Sequence, residues 1–538
     1  MPLWEFIPDG EPYVFEDPDQ PGKYRVYVYG SHDNLIQYYC GRDQVVWSAP
    51  VENLKDWRYD GIIFESKKDA NGKWLAPLDK KGNPAKNAKK AKDGVGDVLY
   101  APDVVEKVDA NGKKTYYLYP NVQNDNRNNL VAKSDRPDGP FTVCNWNPEK
   151  PQETVGPFAF DPAAFIDDDG RAYGYWGFEF SNAAELDPET MATVKPGTYT
   201  VKNMIPGKAQ DNLFRFFEAS SIRKIKDKYV FIYSRWTNNG EFGLPESNYT
   251  LAYCYSNNPL GPWTYGGTII DGRGREQRPD GTTVATACPN GNTHGSICFI
   301  PSPKGKAENK GQKGDWWVFY HRQAGTNEYC RQAMVAPINV EVMEGESGYV
   351  RISEAEFTSE GFMTEGLDPY TEYAAGIACY FTGPEPAHAE YPNVIYPGSH
   401  TEIYRLSAAE TPKPKTGDFY NKAIDRCSMV NNTAGSVVGY KYYNFSKTYG
   451  KDGLALSVNM ETEGVAGTMD VYLDRPCEKE GGVKIGTYAV PAAAASASDV
   501  TIPVAALKHY NGKHALFLVF NSETKGKSMC KLNSLQFK

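Results

Sequence analysis

Residues 161–177, DPAAFIDDDGRAYGYWG, contain the pattern that decides the fold: an acidic residue, an apolar strand, an acidic turn with Gly, and an aromatic return strand. Four other segments share it, led by Glu11 (EPYVF, returning through KYRVYVYGSHD), Asp103 (DVVEKV, TYYLYP), Glu218 (EASSIRKI, YVFIYSR) and His294 (HGSICFIP, WWVFYHR). Repeated hairpin units of this kind predict a radial array whose innermost strands face one axis. We therefore predict an all-β protein that begins with a five-bladed β-propeller.

The five leading residues are predicted to converge at the mouth of one channel. Four of them are carboxylates and the fifth is an imidazole. Like charges that lie close together raise one another's pKa, and groups perturbed in this way are typical of catalytic sites. The repeat therefore predicts a reactive centre as well as a fold.

The chain of 538 residues is too long for one ordinary core, which favours two domains. The repeats occupy residues 1–357, and we predict the propeller there. Residues 358–538 contain short alternating strands separated by turns, a pattern typical of a β-sandwich. Within them, the Ala-rich piece at 491–499 has no apolar periodicity and is predicted to be a loop.

Composition excludes several classes of protein. A net charge of -9 argues against a nucleic-acid partner, and no apolar run reaches the roughly 18 residues that a membrane span needs. The ten cysteines are scattered without metal-site spacing, so free thiols are expected. The first residues, MPLWEFIPDG, lack the features of an export signal, which predicts a cytoplasmic location. The sequence leaves the oligomeric state open.

Carboxylates gathered in this way suit the hydrolysis of a glycosidic bond. That reaction needs one carboxylic acid to protonate the leaving oxygen and one carboxylate to act on the opposite face of the sugar. A third carboxylate beside the acid can keep it protonated at neutral pH. The repeat leaders supply enough carboxyl groups for all three roles.

The motifs GEPYVF, YAPDVVEK, FDPAAFIDDDG, FFEASSIRK and THGSI, in this order and each followed by an aromatic strand, resemble glycoside hydrolase family 43. The resemblance covers about two thirds of the chain. It implies an inverting five-bladed propeller enzyme that acts on arabinose- and xylose-containing glycans. The implied partner is an oligosaccharide or polysaccharide substrate, and no organic cofactor is implied.

The resemblance assigns a role to each of three carboxyl groups. It makes Glu218 the general acid and Asp161 the residue that raises the pKa of that acid and orients it. The general base falls at Glu11, although the family usually has Asp before the following Pro. Asp9 is a rival base, because it lies two residues earlier and would share a face with Glu11 in an extended strand.

The resemblance also implies binding residues. His294 matches an axial histidine that approaches a calcium ion held mainly by water, so a water-rich calcium site is expected there. Arg331 resembles an inward-facing arginine that contacts substrate. Arg322 closes the fifth inner hairpin, where it would either contact the sugar or pair with a surface acid. His32 and Asp103 lie at the corresponding strand positions of blades one and two and are further candidates for contact with the sugar.

The C-terminal region resembles a family 6 carbohydrate-binding module more faintly, and it is expected to support the propeller or to bind glycan weakly. The resemblance as a whole implies an exo-acting glycosidase that releases terminal β-D-xylose, α-L-arabinofuranose or both from hemicellulose oligosaccharides. A long insertion at residues 66–98 favours a walled pocket. The alternatives are an endo-acting arabinanase with an open cleft and a non-catalytic glycan-binding protein.

Overall fold

The computed structural model confirms the predicted fold class, a β-propeller followed by a β-sandwich. It describes residues 3, 5–33, 39–69, 71–72, 98–122, 129–151, 153–287, 291–323, 331–384, 402–403 and 427–538. Within these ranges the only helices are short 3-10 turns at Glu241–Gly243, Ala375–Ile377, Phe445–Lys447, Glu478–Glu480 and Ala505–His509. None of them is long or apolar enough to cross a membrane.

The first part of the chain forms five four-stranded antiparallel sheets within the described ranges. The first two sheets contain β1 (Glu11–Glu16), β2 (Tyr24–Tyr29), β3 (Asp43–Pro50), β4 (Arg58–Glu65), β5 (Asp103–Val108), β6 (Lys114–Tyr119), β7 (Ala132–Ser134) and β8 (Thr142–Val143). The next two contain β9 (Ala163–Ile166), β10 (Ala172–Trp176), β11 (Asn182–Leu186), β12 (Val201–Lys202), β13 (Phe216–Ile225), β14 (Lys228–Arg235), β15 (Thr250–Ser256) and β16 (Thr264–Asp271).

A small hairpin, β17 (Glu276–Gln277) and β18 (Thr283–Val284), precedes the fifth sheet. That sheet contains β19 (Ser296–Pro301), β20 (Ala307–Asn309), β21 (Gln312–Gln323) and β22 (Arg331–Ile338), and the hairpin β23 (Val340–Val342) and β24 (Val350–Ile352) follows it. The middle strands are buried along their length, as β14 shows, because each sheet packs between two others.

Polar contacts join the first strands of neighbouring sheets around the axis. Asp103 Oδ2 accepts a hydrogen bond from the Ala164 amide at 2.7 Å, which links the second sheet to the third. The Ser221 hydroxyl donates to Ser296 Oγ at 2.7 Å, which links the fourth to the fifth. The repeat leaders therefore meet at the axis, as the repeat predicts.

The C-terminal part contains two packed sheets, as the sandwich pattern predicts. Their strands are β25 (Tyr373–Ala374), β26 (Tyr380–Thr382), β27 (Glu402–Ile403), β28 (Met429–Asn432), β29 (Val437–Asn444), β30 (Ala455–Glu463), β31 (Gly467–Leu473), β32 (Val483–Val490), β33 (Ala494–Pro503), β34 (Lys513–Asn521) and β35 (Cys530–Phe537). The loop predicted at 491–499 is wrong for most of its length, since β33 begins at Ala494 and pairs with β30. Tertiary pairing overrides the weak local preference of these alanines.

The two parts share one apolar cluster. The Phe362 ring packs against Trp317 with centroids 4.8 Å apart, and the Phe381 amide donates to the Thr286 carbonyl at 2.8 Å. The predicted boundary at 357/358 falls between β24 and β25. The insertion predicted to wall a pocket lies largely outside the described residues. All eight cysteines in the described ranges are free, as predicted.

Candidate active site

Asp161 and Glu218 lie side by side at the axis. Asp161 directly precedes the third sheet, and its Oδ2 accepts a hydrogen bond at 3.0 Å from the amide of Ala219, the residue after Glu218. Its Oδ1 accepts another at 2.8 Å from the Asn121 side chain. Both carboxyl groups are buried. The structure therefore brings together the two residues that were predicted to form the acid and its neighbour.

Burial raises the pKa of both carboxyl groups. The pKa of Glu218 rises to about 7, because burial disfavours its charge and the nearby Asp9 carboxylate adds repulsion. Burial and the charge of Glu218 raise the pKa of Asp161 well above its usual range. Both oxygens of Asp161 accept N–H hydrogen bonds, which oppose this rise and favour the ionised form of Asp161.

The side chain of Asn292 donates a hydrogen bond to Glu218 Oε1. This bond fixes one oxygen of the carboxyl group as an acceptor, so the proton belongs on the other oxygen. It also favours the ionised form and lowers the pKa of Glu218 against the effect of burial. Asn292 was not among the predicted residues, and its position two residues before His294 in the NTHGS segment is the one signal for it.

Asp9 is an ionised carboxylate close to Asp161 and Glu218. Arg331 Nη1 donates to its Oδ1 at 2.8 Å, and the Ser31 hydroxyl donates to its Oδ2. His321 Nδ1 accepts a hydrogen bond at 3.2 Å from the Asp9 amide. Although burial opposes the charge, the Arg331 guanidinium and His321 hold the pKa of Asp9 well below its ordinary value. Asp9 is therefore ionised at neutral pH, as a general base must be, although its low pKa also makes it a weak proton acceptor.

Glu11, the predicted general base, has different hydrogen-bond partners from Asp9. Its Oε2 accepts hydrogen bonds from Arg223 Nη2 at 2.9 Å and from the Ser221 hydroxyl at 3.2 Å. Burial raises the pKa of Glu11 to about 8 even though Arg223 opposes the shift, and the charge of Asp103 adds to the rise. Glu11 is therefore paired with a cation of the protein, and its raised pKa contrasts with the lowered pKa of Asp9.

The backbone explains why Asp9 and Glu11 separate. Asp9 has a positive φ of 60°, so the chain is not extended between the two residues. The expectation that they share one strand face is therefore wrong. β1 begins at Glu11, and Gly10 forms an isolated parallel bridge with Gly295. This turn directs Asp9 to the Arg331 cluster and Glu11 to Arg223.

Asp103 lies with Glu11 and apart from Glu218. Its Oδ1 accepts hydrogen bonds from the Tyr13 hydroxyl at 2.6 Å and from the Val104 amide at 2.8 Å. Burial raises its pKa to about 6. Donors in the protein contact both carboxylate oxygens of Asp103, which gives it a structural role at the axis, and its contact with sugar stays a prediction.

His294 lies beside the acid pair, with Nδ1 3.5 Å from Asp161 Oδ2. Burial lowers its pKa to about 4, so the imidazole is neutral. In the described ranges, no group of three His, Cys, Asp or Glu side chains is arranged to hold a metal ion. Calcium prefers several oxygen ligands, and the expected site near His294 would take them mainly from water.

Three predicted binding residues contact groups of the protein itself. His32 pairs with Glu5 at 3.0 Å and with Asp43 at 2.8 Å, and these acids raise its pKa to about 10. Arg322 donates to the Ala378 and Gly376 carbonyls of the C-terminal part and is 1% exposed. Arg322 therefore joins the domains. The buried Arg331 belongs to the cluster, where its partners are carboxylates of the protein.

The chain matches a known family and several curated proteins. The profile described as "Glycosyl hydrolases family 43" matches residues 52–341. A curated "Xylosidase/arabinosidase" from Thermoclostridium stercorarium is 31% identical over 412 residues, which cover 72% of this chain and 73% of that protein. An "Arabinoxylan arabinofuranohydrolase" from Paenibacillus polymyxa is 22% identical over 99% of this chain and 72% of its own length.

Solved structures match the chain at low similarity. A family 43 arabinoxylan arabinofuranohydrolase from Bacillus subtilis, in complex with cellotetraose, matches with a TM-score of 0.42 and 20% identity over 100% of this chain and 97% of its own. On the strength of the matched profile and the curated relatives, this chain belongs to glycosyl hydrolase family 43 and is a glycoside hydrolase.

Proposed function

We propose that the protein is an inverting, exo-acting glycosidase that releases terminal β-D-xylosyl or α-L-arabinofuranosyl residues from hemicellulose-derived oligosaccharides. The mechanism rests on the contrast between two buried carboxyl groups: Arg331 donates a hydrogen bond to Asp9 and lowers its pKa, whereas burial and the charge of Asp9 raise the pKa of Glu218. Two carboxyl groups with separated pKa values are what acid and base catalysis of glycoside hydrolysis requires.

In the proposed reaction, Asp9 removes a proton from a water molecule whose oxygen bonds to the anomeric carbon. The bond from that carbon to the leaving oxygen breaks at the same step, and the leaving oxygen takes the proton from Glu218. Asp161 stays ionised on its two N–H donors and keeps the proton of Glu218 in place. Asp9 takes the role that the resemblance assigns to Glu11.

The choice of substrate rests on the curated relatives. Those from Thermoclostridium stercorarium, Humicola insolens and Bacteroides ovatus carry xylosidase/arabinosidase names, and the relative from Paenibacillus polymyxa is an arabinoxylan arabinofuranohydrolase. A terminal xylopyranose and a terminal arabinofuranose present similar shapes to a small pocket. The non-catalytic alternative rested on the unusual Glu11, and it loses that support once Asp9 supplies the ionised carboxylate.

The proposal is tested with aryl β-D-xyloside and aryl α-L-arabinofuranoside. The native protein should release the aryl group from at least one, and NMR of the first product should show the inverted anomer. Glu218→Ala tests the acid and should hydrolyse a xylo-oligosaccharide at least about 100-fold more slowly. Release of the retained anomer, or equal and negligible release by both proteins, would overturn the proposal.

The remaining predictions complete the proposal. Residues 1–357 form the catalytic domain, and residues 358–538 support it through Arg322 and the shared apolar cluster. Calcium near His294 stays a prediction from the resemblance, and no step of the mechanism passes through it. The cytoplasmic location likewise stays a prediction.

A further inference from the structure

A row of aromatic side chains lies beside the acid pair. The rings of Phe160 and Phe178 have centroids 5.1 Å apart, and those of Phe178 and Phe217 are also 5.1 Å apart. Trp236 extends the row, with its ring 5.3 Å from that of Phe217. We call these four residues, Phe160, Phe178, Phe217 and Trp236, the aromatic ledge.

The ledge is continuous in sequence with the catalytic carboxyl groups. Phe160 directly precedes Asp161 and Phe217 directly precedes Glu218, so each pair of Cα atoms is separated by about 3.8 Å. Phe178 is the member that joins the two, because its ring contacts both of the others. The backbone of the ledge therefore adjoins both catalytic carboxyl groups.

The loop that carries Phe178 is fixed to both of these positions. The Gly177 amide donates to the Phe160 carbonyl at 2.8 Å, and the Glu179 amide donates to the Phe217 carbonyl at 2.6 Å. Gly177 has a φ of 146°, and a Cβ at this position would lie 1.9 Å from the Phe180 carbonyl oxygen. Only glycine permits this turn, so the backbone holds Phe178 in a defined position.

Phe178 is held in place and yet remains exposed to solvent. It is 46% exposed, whereas Phe216, one strand position before Phe217, is fully buried. Leaving apolar ring surface in water forgoes stabilisation of about 25 cal/mol for each Å². A rigid, exposed aromatic ring next to an acid pair is therefore suited to cover a ligand surface.

We propose that Phe178, supported by Phe160 and Phe217, binds the sugar ring on the leaving-group side of the scissile bond. This inference rests on the proposed function, because the acid Glu218 acts on the leaving oxygen and so faces the departing part of the substrate. A β-linked xylopyranose fits as the occupant, since its hydroxyl groups are all equatorial and its faces carry C–H groups. Such a face packs against an aromatic ring.

The test compares two substrates that differ only in the leaving group. Xylotriose has a sugar on the leaving-group side, whereas the xylosyl fluoride of the same anomeric configuration has only fluoride. Phe178→Ala should lower kcat/KM for xylotriose on the order of tenfold more than it lowers kcat/KM for the fluoride. Phe178→Trp should restore most of the loss, because it restores an aromatic face.

Tyr199→Ala is the matched control. Tyr199 is 77% exposed and belongs to the segment before β12, and it should give the native ratio of the two rates. Equal losses on both substrates in Phe178→Ala, or no loss on either, would overturn the ledge while leaving the proposed function intact. Failure of the native protein to hydrolyse either substrate, or the arabinofuranosyl equivalents, would instead reject the proposed function. Thermal unfolding checks that each variant is folded.

Discussion

The guanidinium of Arg331, at the start of β22, donates a hydrogen bond to Oδ1 of Asp9 at 2.8 Å. The same guanidinium donates to both oxygens of Asp33 at 3.0 Å. Arg331 is buried, and its donors are directed at these carboxylates. An arginine expected to clamp substrate therefore positions the base and keeps it ionised.

Replacing Arg331 should change the pH dependence of the reaction. In the native protein the Arg331 charge lowers the pKa of Asp9, and burial alone would raise it. In Arg331→Gln the pKa of Asp9 therefore rises, and a base must be ionised to act. We expect the acid limb of the kcat/KM profile to move to higher pH, with a loss at pH 6 on the order of 100-fold.

Arg331→Lys keeps the positive charge but removes the planar set of N–H donors, so it distinguishes the effect of the charge from that of the geometry. It should keep the acid limb closer to its native position while still lowering kcat/KM, because lysine cannot hold Asp9 and Asp33 together. An acid limb that stays in place in Arg331→Gln would show that Asp9 is not the base.

The identity of the base can be tested directly with two amides. Asp9→Asn should lower kcat/KM by about 10²- to 10⁴-fold on every substrate, because the amide cannot accept the proton from water. Glu11→Gln keeps a hydrogen-bond acceptor for Arg223 and Ser221, so its loss should be much smaller. The reverse order of losses would restore Glu11 as the base.

The sequence could predict which segments meet at the axis, but not how each side chain is used there. The repeat leaders Asp161 and Glu218 lie together, as the pattern predicts, and a hydrogen bond joins Asp161 to the residue after Glu218. Asp9 and Glu11 lie in different environments because Asp9 has a positive φ. Asp adopts this conformation more readily than most residues, but its presence in a sequence does not show that it has done so. No local pattern distinguishes an extended from a turned backbone at that point.

Long-range docking accounts for the other corrections. Arg322 and Arg331 both belong to the fifth sheet, and only the folded chain shows that the C-terminal carbonyls bind Arg322. Similarly, the alanines of β33 form a strand because β30 supplies a partner. In each case the decisive contact comes from a residue more than 30 positions away in the sequence.

The acid can be tested through the leaving group. Glu218→Gln should lose on the order of 10²- to 10⁴-fold on a xylo-oligosaccharide, whose leaving oxygen needs a proton. The loss should be much smaller on a dinitrophenyl glycoside, because that leaving group departs as an anion. Equal losses on both substrates, measured as kcat/KM, would exclude Glu218 as the proton donor.

Asn292 should affect the pKa of the same acid, Glu218. In the native protein the pKa of Glu218 is raised to about 7, so activity should be lost as the pH rises through that value. The hydrogen bond from Asn292 lowers this pKa, so Asn292→Ala should move the alkaline limb of kcat/KM to higher pH. Thr293→Ala, at the next residue, should leave the limb where it is.

Removing the C-terminal part should unfold the propeller. Truncation after residue 357 exposes Trp317 and Phe319, against which Phe362 packs, and removes the carbonyl partners of the buried Arg322. An unpaired buried charge costs several kcal/mol. We expect aggregation or a greatly lowered Tm, and a truncated protein with native Tm and activity would show that the domains are independent.

The axis should also make stability depend on pH. Burial raises the pKa of Glu11 to about 8, that of Glu218 to about 7 and that of Asp103 to about 6. The folded state therefore binds protons more tightly than the unfolded state, in which these groups titrate at about 4. The free energy of unfolding should fall as the pH rises from about 4.5 to 8, by at most about 1.4 kcal/mol per pH unit for each group.

Urea denaturation at pH 5, 6, 7 and 8 measures this slope. Glu11→Gln removes one titrating group while keeping an acceptor for Arg223, so its free energy of unfolding should fall less steeply than that of the native protein. Glu16→Gln is the matched control on the same strand, because hydrogen bonds from Lys114 and Gly22 lower the pKa of Glu16, so Glu16 does not add to the fall in stability. If Glu11→Gln and Glu16→Gln keep the native slope alike, Glu11 is ionised across this range and Arg223 outweighs its burial.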